Sequence, residues 1–115
     1  MTDKARLLEL AEQCELAEWP DRSIDAAIVR IVNPQATDLT EPPFYTRDVD
    51  AALTLVPNGL KWTVGGNVHH GYWIASVNTL KSDGEPWCVG CSNATSSPAL
   101  ALCAAALRAI AGDER

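Results

Sequence analysis

Apolar positions recur at helical spacing through the first half of the chain, switch to alternation in the middle and return to helical spacing at the end. Leu7, Leu10, Ala11, Cys14 and Ala17 line one side of a helix predicted over 3–18, with Thr2 as its cap. Trp19-Pro20 ends it, because proline disfavours helical geometry in the residue before it. Ile24, Ala27, Ile28, Ile31 and Val32 form the stripe of a second helix over 22–32, capped by Asp21 or Ser23 and closed by Asn33-Pro34. Pro34 to Tyr45 has no period and reads as a surface crossing whose end is anchored by Phe44 and Tyr45. A short helix over 47–56 follows, with Val49, Ala52, Leu53 and Val56 on one side and Pro57-Asn58-Gly59 as its stop.

Aromatic and β-branched residues then mark three strands, over 60–64, 71–80 and 86–92. Gly65-Gly66-Asn67 and Ser82-Asp83-Gly84 bound them as two hairpins, so the sheet is antiparallel. In the central strand Trp73, Ala75 and Val77 face one way and Tyr72, Ile74 and Ser76 the other. Both faces are largely apolar, which asks for cover on both sides. Ser97 caps a final helix over 98–111 and Pro98 takes its first position. Leu100, Cys103, Ala104, Leu107 and Ile110 make one stripe, but the opposite side is alanine and leucine too, and Arg108 is the sole charge between Ala99 and Ala111. Such a helix is buried, against the sheet, a neighbouring helix or a second copy of the chain. The reading is one α+β domain over 1–115, a three-stranded antiparallel sheet with helices packed on both faces, an α-β-α sandwich.

A chain of 115 residues, 47% hydrophobic and 21% charged, supports a single core without staples and argues against disorder outside the last few residues. It has no apolar run of about 20 residues, and its N-terminus carries acids where a signal peptide needs an uncharged stretch, so a cytoplasmic location and no membrane partner are expected. There the four cysteines, Cys14, Cys88, Cys91 and Cys103, stay reduced and read as small buried hydrophobes. The net charge of −6 is uneven, with eleven of the fifteen acids in residues 1–50. Glu9, Glu12, Glu15 and Glu18 form a ridge on the first helix, either a solvated face or an acidic surface for a basic partner. The absence of a Lys/Arg cluster disfavours nucleic acid as a partner.

Three stretches carry candidate chemistry. Cys88-Val89-Gly90-Cys91 has the spacing of a zinc knuckle or a redox pair, with His69, His70, Cys14 or Cys103 as the other available metal ligands. Positions three apart in a strand point to opposite faces, so the pair cannot bind one metal unless Gly90 bulges the strand, and a redox pair needs its first cysteine near a helix N-terminus, whereas the next helix starts only at about Pro98. His69 and His70 sit in the first hairpin and, with Trp62, Tyr72 and Trp73, can form an aromatic and hydrogen-bonding patch able to stack a base or a small planar ligand. Ser96 and Ser97, at the start of the last helix, can hold an anion or simply cap it. No nucleophile elbow or phosphate loop is present, and the carboxylates cluster away from the histidines, so no catalytic residues and no cofactor are assigned.

Two blocks, "DAALTLVPNG" from Asp50 and "SSPALALCAAALRAIAG" from Ser96, together with the acidic first helix and "PDRSIDAAIVRIV" from Pro20, resemble the phage ABA sandwich domain, a family of small phage and prophage proteins. The resemblance implies a helix-sheet-helix sandwich of phage origin with no established activity. The family pattern includes Cys103 but not the Cys88/Cys91 pair. The expected function is a phage accessory protein that binds a host or phage protein, or itself through the C-terminal helix or a sheet edge. A small-molecule, nucleotide-like binding or sequestering protein is the alternative, and a zinc-binding domain the third reading.

Overall fold

The computed structural model describes residues 4–33, 35–37, 40–57, 59–67, 71–80, 86–92 and 94–113, with backbone alone at 67, 79–80, 86–89 and 112–113. Its elements are α1 (Lys4–Leu16), α2 (Arg22–Val32), α3 (Val49–Leu53), β1 (Lys61–Asn67), β2 (Tyr72–Leu80), β3 (Pro86–Cys91) and α4 (Pro98–Asp113). The strands form one antiparallel sheet in the order β1-β2-β3. The protein is therefore α+β, with helices against a three-stranded antiparallel sheet, as the periodicity predicts.

Local chemistry accounts for several helix ends. Asp21 caps α2, its carboxylate accepting from the Ser23 amide at 2.8 Å. Ser97 caps α4, its hydroxyl accepting from the Leu100 amide at 3.2 Å. The first helix stops at Leu16, short of the predicted 18, where the Ser96 hydroxyl lies within hydrogen-bond distance of the Ala17 and Glu18 carbonyls. The third helix is one short turn, Val49–Leu53, rather than 47–56. Gly65 and Gly66 are not the hairpin. They continue β1 to Asn67, paired with Ile74 and Trp73, and the glycine with a positive φ between these two strands is Gly71, at +66°. The predicted cap Thr2, and Asn58 of the predicted Pro57-Asn58-Gly59 stop, lie outside the described residues.

The layers run sheet, α4, α1. The final helix packs on β2 and β3 with one side and on α1 and α3 with the other. This is why every side chain from Leu100 to Leu107 is fully buried. Leu7, Leu10, Ala11 and Cys14 of α1 meet it across a surface of alanines that lets the two helices approach closely. Burying a leucine of this kind contributes about 1.5–3 kcal/mol, so the Leu7, Leu10, Leu100, Leu102 and Leu107 cluster dominates the core. The second helical layer thus stands beyond α4, and the far face of the sheet carries Lys61, Thr63, Ile74, Ser76 and Asn78. Ile74 there is 48% exposed, and the Thr63 and Ser76 hydroxyls hydrogen-bond each other at 2.7 Å.

The crossing before α3 is held at its end. Tyr45 is buried, whereas Phe44 lies half-buried with the Arg22 guanidinium 4.0 Å from its ring centre. Asp25 is buried in the apolar stripe of α2 and accepts from the Thr46 amide and hydroxyl, both at 2.9 Å, and from Arg22 at 2.9 Å. These bonds satisfy a carboxylate that burial would otherwise penalise.

Candidate functional site

Antiparallel pairing settles which strand residues share a face. Trp62 stands opposite Val77, Val64 opposite Ala75 and Gly66 opposite Trp73. Because Ala75 and Val77 are buried toward α4, Trp62, Val64 and Trp73 belong to the same, helix-side face. Among the described residues α4 lies mainly against β2 and β3, which leaves the outer part of that face open. Trp62 is 42% and Trp73 37% exposed there. Gly66 makes the ledge flat, since a Cβ on it would stand 2.7 Å from the Trp73 ring. Tyr72 falls on the opposite face by strand alternation, so the patch predicted from Trp62, Tyr72 and Trp73 is divided between the two sides of the sheet. His69 and His70 lie outside the described residues.

The start of α4 does come up to the ledge. Trp73 and Thr95 form an isolated antiparallel bridge, with amide to carbonyl distances of 3.0 and 2.8 Å in the two directions. The Thr95 hydroxyl lies within hydrogen-bond distance of the Trp73 and Ser97 carbonyls. The hydroxyls of Ser96 and Ser97 have partners within the chain, the carbonyls of Ala17 and Glu18 for one and the Leu100 amide for the other.

The cysteines divide by layer. Cys14 and Cys103 are free thiols buried between α1 and α4, and the Cys103 thiol donates to the Tyr45 carbonyl at 3.0 Å. Their contact with each other, ahead of burial itself, pushes the Cys103 thiol well above its ordinary pKa. Cys91 departs from the expectation of a reduced, buried hydrophobe, being both exposed and disulfide-bonded. Between β2 and β3 the register shifts, with Val77 opposite Gly90 and Asn78 opposite Cys88, so Val89 is the extra residue of a bulge. The bulge places positions 88 and 91 on one face, opposite Asn78 and Ser76. Cys14 and Cys103 are on the far side of that face, and a disulfide sulfur is not a thiolate ligand, so they do not complete a zinc knuckle with Cys91. Among the described residues no group of three or more His, Cys, Asp or Glu is placed to hold a metal ion.

Behind β3 lies a charged contact that the sequence pattern hides. Arg108 pairs through both terminal nitrogens with the carboxylate of Glu15, one of the bonds being 2.7 Å, and donates to the Cys91 carbonyl at 2.8 Å. Glu15 is thereby withdrawn from the acidic ridge of α1, its side chain only 7% exposed. The bond to Glu15 raises the Arg108 pKa further above its ordinary value. A lone arginine in an otherwise apolar helix was the available signal, since such a charge calls for a partner. Set against family models, curated proteins and solved structures, the chain matches none of them.

Proposed function

We propose that the protein is a small phage or prophage accessory protein that acts in the cytoplasm of the bacterial host by binding a protein partner rather than by catalysis. The observation that carries the binding reading is the ledge of Trp62, Gly66 and Trp73, two half-exposed indoles on one face beside the sheet edge β1. Exposed aromatic anchors next to an open strand edge suit a protein surface, which adds main-chain hydrogen bonds to apolar contact. The resemblance of residues 50–59 and 96–112 to the phage ABA sandwich domain supports the origin. No helix among the described residues is long and apolar enough to cross a membrane, which is compatible with a cytoplasmic location. Self-association through α4 is disfavoured, because its side chains from Leu100 to Leu107 are buried in the chain's own core, and a sheet edge is the surface left for it.

The alternative is a small planar ligand stacked on the same indoles. It has less support, since the serine hydroxyls that would hold an anion beside it already bond to backbone groups. Purification of tagged wild type and Trp62→Ala/Trp73→Ala protein from lysogenic cells, with mass spectrometry of bound proteins and small molecules, separates the two. The expected result is one protein retained in near-stoichiometric amount by wild type and lost from the double variant. A bound nucleotide or other planar small molecule, with no protein dependent on the tryptophans, would transfer support to the alternative.

A further inference from the structure

The two most exposed large apolar side chains among the described residues do not stand on the tryptophan ledge, yet the main chain ties them to it. Leu16 ends α1 and Trp19 follows it, 76% and 75% exposed. The tie runs through the loop before α4. The Ser96 hydroxyl reaches the Ala17 and Glu18 carbonyls at 3.0 and 3.2 Å, and its neighbour Thr95 is bridged to Trp73 by main-chain bonds of 3.0 and 2.8 Å. A single residue step, from Ser96 to Thr95, therefore joins the end of α1 to the Trp73 end of the sheet. Apolar side chains exposed singly are ordinary, whereas several brought together with polar groups around them mark an interaction surface.

The charge beside these side chains has one sign. From Leu7 to Asp21 the chain carries five acids and no Lys or Arg. Glu12, one helical turn before Leu16, and Glu18, next to Trp19, are both exposed. The segments that bring the other side of the surface, 71–80 and 94–107, carry no charge. The bases that come nearest along the chain or across α1 are already engaged, Arg22 with Asp25 and Glu41, and Arg108 with Glu15. We propose that Leu16 and Trp19 extend the Trp62 and Trp73 ledge into one docking surface, and that it takes a protein segment whose apolar side chains are flanked by Lys and Arg.

The proposal rests on the protein-binding reading of the ledge and adds to it a second pair of anchors and the charge of the partner. Buried indoles and leucine supply the affinity, while Glu12 and Glu18 at the rim steer a basic segment in and set its orientation. The same acids turn away the competing occupants. A second copy of the chain brings its own net charge of −6, and nucleic acid and anionic lipid bring phosphate.

The test titrates the full chain with a tryptophan-free synthetic amphipathic helix of Leu and Lys, and with two controls, one with Glu in place of Lys and one with Ser in place of Leu. Calorimetry gives affinity and stoichiometry, and the chain's own tryptophan emission reports burial of the indoles. The expected result is one Leu/Lys peptide per chain with a blue shift, an affinity that falls as salt rises, and no binding of either control. Leu16→Ala/Trp19→Ala should weaken binding about tenfold or more. Glu12→Gln/Glu18→Gln should weaken it chiefly at low salt and flatten the salt dependence. Ile74→Ala, on the far face of the sheet, should leave it unchanged. All these positions are exposed, so circular dichroism should show the fold intact in each variant. Binding that needs Trp62 and Trp73 but not Leu16 and Trp19 overturns the extended surface and leaves the ledge standing. Equal binding of either control overturns the basic, apolar partner. Failure of the Leu/Lys peptide to bind, or binding indifferent to every substitution, overturns the whole inference, whereas the protein-binding reading falls only with the separate loss of a cellular partner dependent on Trp62 and Trp73.

Discussion

Gly90 of the bulged strand sits against Ala105 of the last helix so closely that a Cβ on the glycine would stand 2.2 Å from the Ala105 carbonyl oxygen and 2.6 Å from the Ala109 amide nitrogen. Both neighbours are helix backbone, which cannot turn aside as a side chain can. Gly90→Ala is therefore expected to push β3 off α4 and to cost about 3 kcal/mol, the upper part of the usual range for overpacking. Urea unfolding followed by circular dichroism measures it, and a midpoint equal to that of wild type would show that the contact gives way freely.

The contrasting glycine is Gly66, whose obstacle is the ring of a half-exposed Trp73. Gly66→Ala should leave stability within about 1 kcal/mol of wild type, because an exposed side chain can move. It should shift the tryptophan emission maximum and weaken retention of the partner. Unchanged emission with full retention would remove Gly66 from the ledge.

Arg108 and Glu15 join α4 to α1 through a partly buried pair that also reaches β3. Glu15→Ala leaves the guanidinium with the Cys91 carbonyl and partial solvent, at an expected cost of about 1–3 kcal/mol. Glu12→Ala on the same helix removes an exposed acid and should change stability by less than about 0.5 kcal/mol. Equal effects of the two substitutions, read from thermal midpoints, would reduce Glu15 to another member of a solvated ridge.

Asp25 and Thr46 tie α2 to the end of the long crossing. Asp25→Ala strands the buried Thr46 amide without its acceptor and should cost about 3 kcal/mol. Thr46→Val keeps the volume and the amide bond but loses the hydroxyl that donates to Asp25 and accepts from the Asp21 amide, an expected cost of about 1–2 kcal/mol. A double-mutant cycle with additive effects would contradict the coupling.

Stability should fall at both ends of the pH scale for separate reasons. The Ser23 hydroxyl, helped by the backbone amides of Ser23 and Ile24 and opposed by burial, holds the Asp21 carboxyl below its ordinary value. A depressed pKa contributes stability above the unfolded value, and that contribution is lost as pH falls below about 4. Asp21→Asn keeps a capping side chain and should flatten this acid limb. Burial first, then the Cys103 and Asp25 charges, push Tyr45 up, and Cys103 is raised through Cys14 and burial. Raised values contribute fully below the unfolded pKa and are lost as pH climbs through the folded one, so stability should decline from about pH 9 upward. In Tyr45→Phe the part setting in near pH 10 should disappear; a constant difference from wild type between pH 8 and 11 would assign it elsewhere.

Much of the fold is legible in the chain because its signals are local. The Asp21 and Ser97 caps, the alternation of β2 and the all-round apolar α4 are each decided within a few residues. The candidate site was less legible. The two tryptophans stand out in the sequence, but proximity along the chain groups Tyr72 with them, whereas strand parity sends it to the other face. Asp25 gives no local signal beside an apolar stripe, because its burial is made tolerable largely by Thr46, 21 residues away.

By itself the sequence determined the order and kind of the elements and which helix had to be inside. Tertiary structure decided that α1, rather than a second copy of the chain, covers the outer side of α4, that Glu15 leaves the acidic ridge to meet Arg108, and that Cys88 and Cys91 share a face. The physical reason is the same in each case. Helix and strand periods are properties of a short stretch, but which face meets what depends on a neighbour distant in the chain. One extra residue in a strand, accepted because Gly90 fits flush on α4, reverses the side to which Cys88 belongs.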